Sequence, residues 1–194
     1  VLDDTIYNGT RWQFHYHNAS EGNWTLTMIT SQAANITFVA GEAEGWNVSI
    51  FNESEVIILC SPYQSYSAEE RELALAYAAV SGSLLISGEA GTRIWGGNLN
   101  PLIKPLGIEF SNELQDPTNY AGDEFRPILS NFTDHPIAVR ARELGVEELI
   151  VSAGCALNIT NPDANVVLRG DNDTTALPAH PEGSYPPFAA TLRY

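Results

Sequence analysis

The sequence predicts an α/β fold with three layers, in which a mostly parallel sheet carries helices on both of its faces. The first observation is Val56–Cys60, a short apolar, β-branched run typical of a strand buried on both faces. The second is a helical pattern over residues 67–81, and the third is another short apolar run, Ser83–Ser87. A strand, a helix and a strand within about 35 residues form a βαβ unit, which requires parallel strands and favours a right-handed crossover.

The predicted helix has start and stop signals of its own. Ser67 and Glu70 form a capping box, because the serine hydroxyl can accept from the backbone N–H three residues on while the glutamate reaches back. Gly82 suits a left-handed residue just past the helix end. Helical spacing predicts one buried face, made of Leu73, Ala76, Tyr77 and Val80.

Shorter patterns predict the elements on either side of this unit. The preceding segments are expected to be strands at residues 12–17 and 36–39, a short helix at 23–33 and an extended segment at 47–51. The following segments are expected to be helical turns at 102–106, 128–131 and 136–142, and strands at 108–110, 147–152, 166–168 and 188–192. A long polar loop over residues 111–127 is typical of a functional or covering segment.

Length and charge restrict the function. The 194 residues predict a single domain, 1–194, whose strand-like tails at both ends suggest truncation. The 9 basic and 24 acidic residues give a formal net charge of −15, which disfavours nucleic acid and anionic lipid because both need clustered Lys and Arg. No apolar run reaches the roughly 18 residues of a membrane span.

Asn-x-Ser/Thr sequons are unusually frequent. Chance gives about two among the asparagines of such a chain, whereas nine occur. The excess predicts an exported, N-glycosylated protein from a eukaryotic or archaeal pathway, with its glycans on exposed side chains. A polar surface with accidental sequons is the alternative. The predicted glycosylation sites are Asn8, Asn18, Asn23, Asn35, Asn47, Asn52, Asn131, Asn158 and Asn172.

The two cysteines follow similar apolar runs. Cys60 ends the run at 56–60, and Cys155 follows the run at 149–151. In an exported protein the first prediction is a Cys60–Cys155 disulfide, because the carboxyl ends of neighbouring parallel strands meet at one sheet edge. Two buried thiols are the alternative.

The pattern resembles glutamine-amidotransferase-like domains of flavodoxin-like topology. Within that group it resembles non-catalytic secreted archaeal and bacterial versions and the related domain of an intraflagellar transport protein. Further matching segments are Leu84–Gly88, Asn100–Leu102, Leu106–Ile108 and Asp134–Ile137. The resemblance implies the same fold over nearly the whole chain.

One departure from this group bears on catalysis. Its enzymes carry a nucleophilic cysteine in a Gly-x-Cys-x-Gly turn, whereas this chain has Gly88-Glu89-Ala90-Gly91. The resemblance therefore implies a non-catalytic member with no catalytic residue, cofactor or metal. The competing hypothesis is a cysteine-dependent amidase or hydrolase, which needs a thiolate and a base. Its candidate thiols are Cys60 and Cys155, and its candidate bases are His15, His17, His135 and His180.

Two binding roles remain as alternatives. His15 and His17 lie on one face of a strand, where Asp3 and Asp4 could join them around a metal, and the Asp171–Asp173 turn could bind calcium loosely. Capped histidines and a plain polar turn are the simpler interpretations. A carbohydrate- or peptide-binding cleft would lie by Cys60, residues 88–91 and the 111–127 loop. Aromatic platforms for sugars could come from Trp12, Trp24, Trp46 and Trp95, although tryptophans more often anchor cores and interfaces.

Together these observations predict a non-enzymatic, N-glycosylated, extracellular or cell-surface structural subunit. It is expected to self-associate into a homo-oligomer or filament through sheet edges, because unpaired edges accept further strands.

Overall fold

The fold is described by a computed structural model over residues 12–16, 24–28, 56–60, 65–80, 82–88 and 95–193. The chain divides into two compact units, residues 1–87 and 88–194. The single domain over 1–194 stays a prediction.

The first unit begins with an antiparallel strand pair. Strands β1 (Trp12–Tyr16) and β2 (Trp24–Met28) pair so that Trp12 lies opposite Met28. The predicted helix over 23–33 is therefore wrong at β2. The segment alternates bulky residues with the β-branched Thr25 and Thr27, a composition that fits a pleated strand.

The βαβ unit is confirmed. Strands β3 (Val56–Cys60) and β4 (Ser83–Ser87) are parallel, and helix α1 (Ala68–Ala79) connects them. The capping box also forms: the Glu70 N–H donates to Ser67 Oγ at 3.2 Å, and the Ser67 N–H donates to Glu70 Oε2 at 2.8 Å.

Two details of this unit differ from prediction. Helix α1 buries Ala74 and Tyr77, whereas Ala76 and Val80 are exposed. Gly82 is not left-handed; it is required because a Cβ there would collide with the Tyr77 ring. Its N–H donates to the Tyr77 carbonyl at 3.0 Å, which closes the helix end without a left-handed residue.

The second unit is built from small antiparallel sheets. Helix α2 (Trp95–Ile103) and a 3₁₀ turn (Lys104–Leu106) lead into β5 (Ile108–Glu113), which pairs with β9 (Cys155–Ile159). The remaining elements are β6 Ile128–Leu129, β7 Asn131–Phe132, helix α3 Pro136–Glu143, β8 Leu149–Ile150, β10 Asn165–Arg169 and β11 Pro187–Thr191. Strand β10 lies between β11 and β7 in a three-stranded sheet, and β6 pairs with β8.

The predicted three-layer, mostly parallel sheet is therefore wrong. Among the described strands only β3 and β4 pair in parallel, and every other named pairing is antiparallel. Parallel neighbours need a crossover connection such as a helix. In the second unit no helix joins two paired strands, because α3 connects β7 to β8 while these strands pair with β10 and β6. The predicted helical turn at 128–131 is also wrong, since β6 and β7 occupy it.

One apolar cluster fills the second unit. Phe132, Phe188 and Ala189 pack against it from the three-stranded sheet. Its buried members are Leu114, Leu129, Val151, Ala156, Leu168 and Ala176. Two loops, 114–127 and 170–186, contribute Leu114 and Ala176 to this cluster and contain the polar site described next.

Candidate functional site

A buried carboxylate joins the two loops of the second unit. Gln115 and Thr175 exchange backbone hydrogen bonds of 2.9 and 2.8 Å, which brings Asp116 beside Thr174. Both side chains are fully buried. Asp116 Oδ1 accepts from the Thr118 and Asn119 N–H groups at 3.0 and 2.7 Å, and Asp116 Oδ2 accepts from the Thr174 hydroxyl at 2.9 Å.

The second loop adds two more carboxylates. Asp171 Oδ1 accepts from the Thr174 N–H at 3.1 Å and from the Asp173 N–H at 3.3 Å, so it organises its own turn. Asp173 Oδ2 accepts from the Thr118 hydroxyl at 2.6 Å and thereby ties the two loops together a second time. Gly170 is needed beneath this turn, because a Cβ there would lie 2.6 Å from the Thr174 side chain.

The Thr174 hydroxyl lies close to one N–H donor and to two carboxylate oxygens. Its oxygen accepts from the Asp171 N–H at 2.9 Å, and it lies 2.9 Å from Asp116 Oδ2 and 2.8 Å from Asp171 Oδ1. A hydroxyl donates one hydrogen, so the Thr174 hydroxyl donates to one of these two carboxylates at a time. Burial raises the pKa of Asp171, and its hydrogen bond with Asp173 raises it further. The Thr118 hydroxyl lowers the pKa of Asp173.

This geometry favours a structural role. Carboxylate oxygens of Asp116, Asp171 and Asp173 lie within 4.8 Å of one another, and calcium uses such oxygens as ligands. The chain's own N–H and hydroxyl donors already occupy both Asp116 oxygens, however, and these hydrogen bonds join the two loops. The sequence pointed to the Asp171–Asp173 turn but missed Asp116. The Asp-Pro-Thr-Asn turn at 116–119 was the available signal, since aspartate often caps such turns.

His135 and His180 have structural surroundings. His135 caps α3, as its Nδ1 accepts from the Ile137 N–H at 3.2 Å, and its Nε2 lies 3.0 Å from Thr191 Oγ1. The helical turn predicted at residues 136–142 is therefore confirmed as part of α3. His180 closes a turn with Ala176 through two backbone hydrogen bonds, and its Nε2 is buried without a hydrogen-bond partner. Burial lowers the pKa of His180, while a hydrogen bond with the Leu157 backbone opposes this.

The His180 ring predicts a loss of stability in acid. Its folded-state pKa lies below the ordinary value, so the native state favours the neutral ring. The stabilisation is complete above about pH 6.5 and falls as the pH drops below it, by at most about 1.4 kcal/mol per pH unit. Urea unfolding at pH 8, 6.5 and 5 checks this. His180→Gln should lose that part of the pH dependence, and an unchanged dependence in this variant would refute the assignment.

The predicted disulfide and the predicted glycosylation sites stay predictions. Cys155 opens β9 and is buried, and the side chain of Cys60 lies outside the described residues, so the disulfide stays a prediction. Asn172 is exposed and Asn158 is half-buried. Asn131 is exposed, although its amide donates to the Gly170 carbonyl at 3.2 Å. The described residues do not include the other six sequon asparagines, His17 or residues 89–91, and the His15 side chain is likewise not described.

A different feature, which the sequence analysis missed, is an exposed apolar segment over residues 137–150. Within it only Ala138 is buried, and residues 142–150 are all exposed. The segment contains the helix α3, the turn after it and β8. Its six large apolar side chains are 36% to 67% exposed, and they are Ile137, Val139, Leu144, Val146, Leu149 and Ile150. Concentrated exposed apolar surface marks protein or membrane contacts. Among the described helices, none is long and apolar enough to cross a membrane.

Comparisons with known proteins show that the fold is similar to that of a solved structure. No family model matches the chain, and no curated protein matches it. A solved structure titled "mmIFT52 N-terminal domain" matches with a TM-score of 0.62 and 20% sequence identity, over 77% of this chain and 68% of that chain. The fold is therefore similar to a domain of an intraflagellar transport protein. The amidotransferase-like and secreted parts of the resemblance are not supported by this match.

The same comparison corrects the predicted location. Sequon frequency predicted an extracellular or cell-surface protein, whereas the similar domain belongs to an intraflagellar transport protein, an intracellular ciliary component. An extracellular location does not agree with this finding. The weakness of the prediction is physical: a sequon needs only an asparagine and a hydroxyl residue two positions on, and a polar surface supplies both without any glycan.

Proposed function

We propose that this chain is a non-enzymatic structural subunit of a protein assembly. The observation that supports this most is the exposed apolar segment 137–150. Burying a large apolar side chain is worth about 1.5 to 3 kcal/mol. Six such side chains on one short segment therefore provide a substantial driving force for association with another protein chain.

The polar residues of the second unit agree with a subunit that has no catalysis of its own. Both nitrogens of His135 lie within hydrogen-bonding distance of chain atoms, and the oxygens of Asp116 are likewise occupied. Cys155 is buried, which removes its sulfur from solvent. A hydrolase needs an accessible nucleophile beside a base, and these side chains are instead used to hold the fold.

The self-association predicted from the sequence is one form of this proposal. A homo-oligomer or filament would use the same exposed apolar segment. The N-glycans predicted at the nine sequons are not required for it.

Size-exclusion chromatography of a native extract, from the cells that make the protein, tests the proposal. Tagged chain in a native extract should elute well above the 21.1 kDa of a monomer. Leu144→Ser/Ile150→Ser should shift the elution towards that of the monomer, because it removes two apolar side chains from the contact surface. Both side chains are exposed, so the fold itself should be kept. Val80→Ser/Leu177→Ser is the matched control, since these residues are exposed outside the segment. Monomeric elution of the unmodified chain, or equal shifts in both variants, would refute the proposal.

A further inference from the structure

The outer edge of β8 has unpaired backbone groups. The Val151 N–H donates to the Pro127 carbonyl at 3.0 Å, while Ile128 lies opposite Ile150 and Leu129 opposite Leu149. Because hydrogen-bonded pairs alternate along an antiparallel ladder, Leu149 faces β6 with its N–H and C=O groups. Glu148 and Ile150 consequently direct theirs away from β6, and no backbone partner is found for them among the described residues.

Acidic side chains without ion pairs flank this edge. Glu147 and Glu148 precede β8 directly, are exposed, and have no ion pair within the described part of the chain. The arginines of α3 are engaged elsewhere. Arg140 pairs with Glu143 at 2.9 Å, and Arg142 donates to the Phe132 and Thr133 carbonyls and lies 3.7 Å from Asp134.

From these two features we infer that the outer edge of β8 accepts an added strand from a partner protein, with lysine or arginine opposite Glu147 and Glu148 and apolar residues opposite Leu149 and Ile150. The inference rests on the proposed function and names the partner's chemistry. Main-chain hydrogen bonds to Glu148 and Ile150 provide the attachment, and cross-strand pairs provide the selectivity. In antiparallel register, the partner sequence is two apolar residues followed by two basic ones.

A second copy of the chain fits this edge less well. The antiparallel register that uses both outward-facing residues is centred on Leu149, and it places Glu148 of each copy opposite Ile150 of the other. Each carboxylate would then lose water against an apolar side chain with no cation nearby, which is costly. Two chains of net charge −15 also repel each other.

The test is a titration of the ¹⁵N-labelled full chain, followed by NMR, with the peptide Gly-Thr-Val-Ile-Lys-Lys-Thr-Gly. We expect the amide signals of Glu148 and Ile150 to shift and become protected from hydrogen exchange. The matched acidic peptide, with two glutamates in place of the lysines, should bind at least about tenfold more weakly. Equal binding of the two peptides, or shifts that avoid β8, would overturn the inference.

Two variants separate hydrogen bonding from charge. Ile150→Pro removes an outward N–H that β6 does not use, a position where an edge strand tolerates proline, and should abolish binding. Glu147→Lys/Glu148→Lys should reverse the preference between the two peptides. The control, Asp163→Lys/Glu182→Lys, changes the net charge equally at exposed sites and should leave the preference intact. A reversed preference in the control would contradict the inference.

Self-pairing is distinguished in the same experiment. Protection of the Glu148 and Ile150 amides that rises with protein concentration, without peptide, would show a second copy on β8 and overturn the inferred partner chemistry. The proposed function would survive that outcome. Conversely, if the chain elutes above monomer size but the basic peptide does not bind, only the partner chemistry fails.

Discussion

Replacing Asp116 with alanine is expected to cost about 3 to 5 kcal/mol of folding free energy. The carboxylate is fully buried and accepts from two backbone N–H groups and the Thr174 hydroxyl. Alanine removes the acceptor of the Thr118 and Asn119 N–H groups, leaves the Thr174 hydroxyl with Asp171 alone, and opens the junction between the two loops. Because domains are stable by only about 5 to 15 kcal/mol, the loss should be plain in chemical denaturation.

Asp123→Ala is the matched control. Asp123 lies in the same loop and accepts from the Phe125 N–H at 3.0 Å, but it is exposed, so water replaces the lost acceptor. We expect a loss below about 1 kcal/mol. Equal losses for Asp116 and Asp123 would show that Asp116 does not join the loops as described.

Asp116→Asn tests how the charge of Asp116 acts on Asp171. The amide oxygen can still accept from the Thr118 and Asn119 N–H groups, and the amide N–H₂ can donate to Thr174. Burial is the main cause that raises the pKa of Asp171, and the charge of Asp116 adds a smaller effect in the same direction. We therefore expect a smaller loss of stability than for alanine, together with a lower Asp171 pKa by carboxyl NMR titration. An unchanged Asp171 titration would contradict this electrostatic effect of Asp116 on Asp171.

Leu129→Ala is the second substitution with a large expected effect. Leu129 is 1% exposed within the apolar cluster, and its cross-strand partner Leu149 is 40% exposed. Truncation of a buried leucine costs about 2 to 5 kcal/mol, because it removes contacts and leaves a cavity. Leu149→Ala, the same change directly across the ladder, should cost below about 1 kcal/mol. Denaturant unfolding of the two variants provides the comparison.

The stability of Leu149→Ala also tests whether the exposed apolar segment is available to a partner. A loss for Leu149→Ala as large as that for Leu129→Ala would mean that β8 is covered within the molecule. In that case the exposed apolar segment would not be available to a partner. A small loss leaves Leu149 for a contact between chains.

Local features of this fold follow from the sequence, and non-local pairings do not. Ser67 and Glu70 are three residues apart, and α1 begins where their capping box predicts. The strands β3 and β4 are joined by that helix, so their parallel pairing is also a local property. By contrast, β5 pairs with β9 and β7 pairs with β10 across long stretches of chain. A five-residue apolar run has the same composition in a parallel and in an antiparallel pair, so the predicted sheet was wrong in the second unit.

The polar site shows the same limit. The Asp171–Asp173 turn is visible in the sequence, but its partner Asp116 is 55 residues earlier and comes beside it only through the pairing of Gln115 with Thr175. The exposed apolar segment was missed for a related reason. Residues 136–142 and 147–152 have enough apolar content to suggest a buried helix and strand, and only the structure shows that their side chains face outward.

Site-specific photo-crosslinking tests the central claim most directly. A photoreactive amino acid replaces Leu144, which is exposed at the end of α3, in the full chain made by its own cells. The same amino acid at Leu177, exposed outside the segment, is the control. A defined adduct of higher mass at position 144 and none at 177 is the expected result, and its mass distinguishes a second copy from a different protein. No adduct at position 144, or the same adducts at both positions, would contradict an assembly role for this surface.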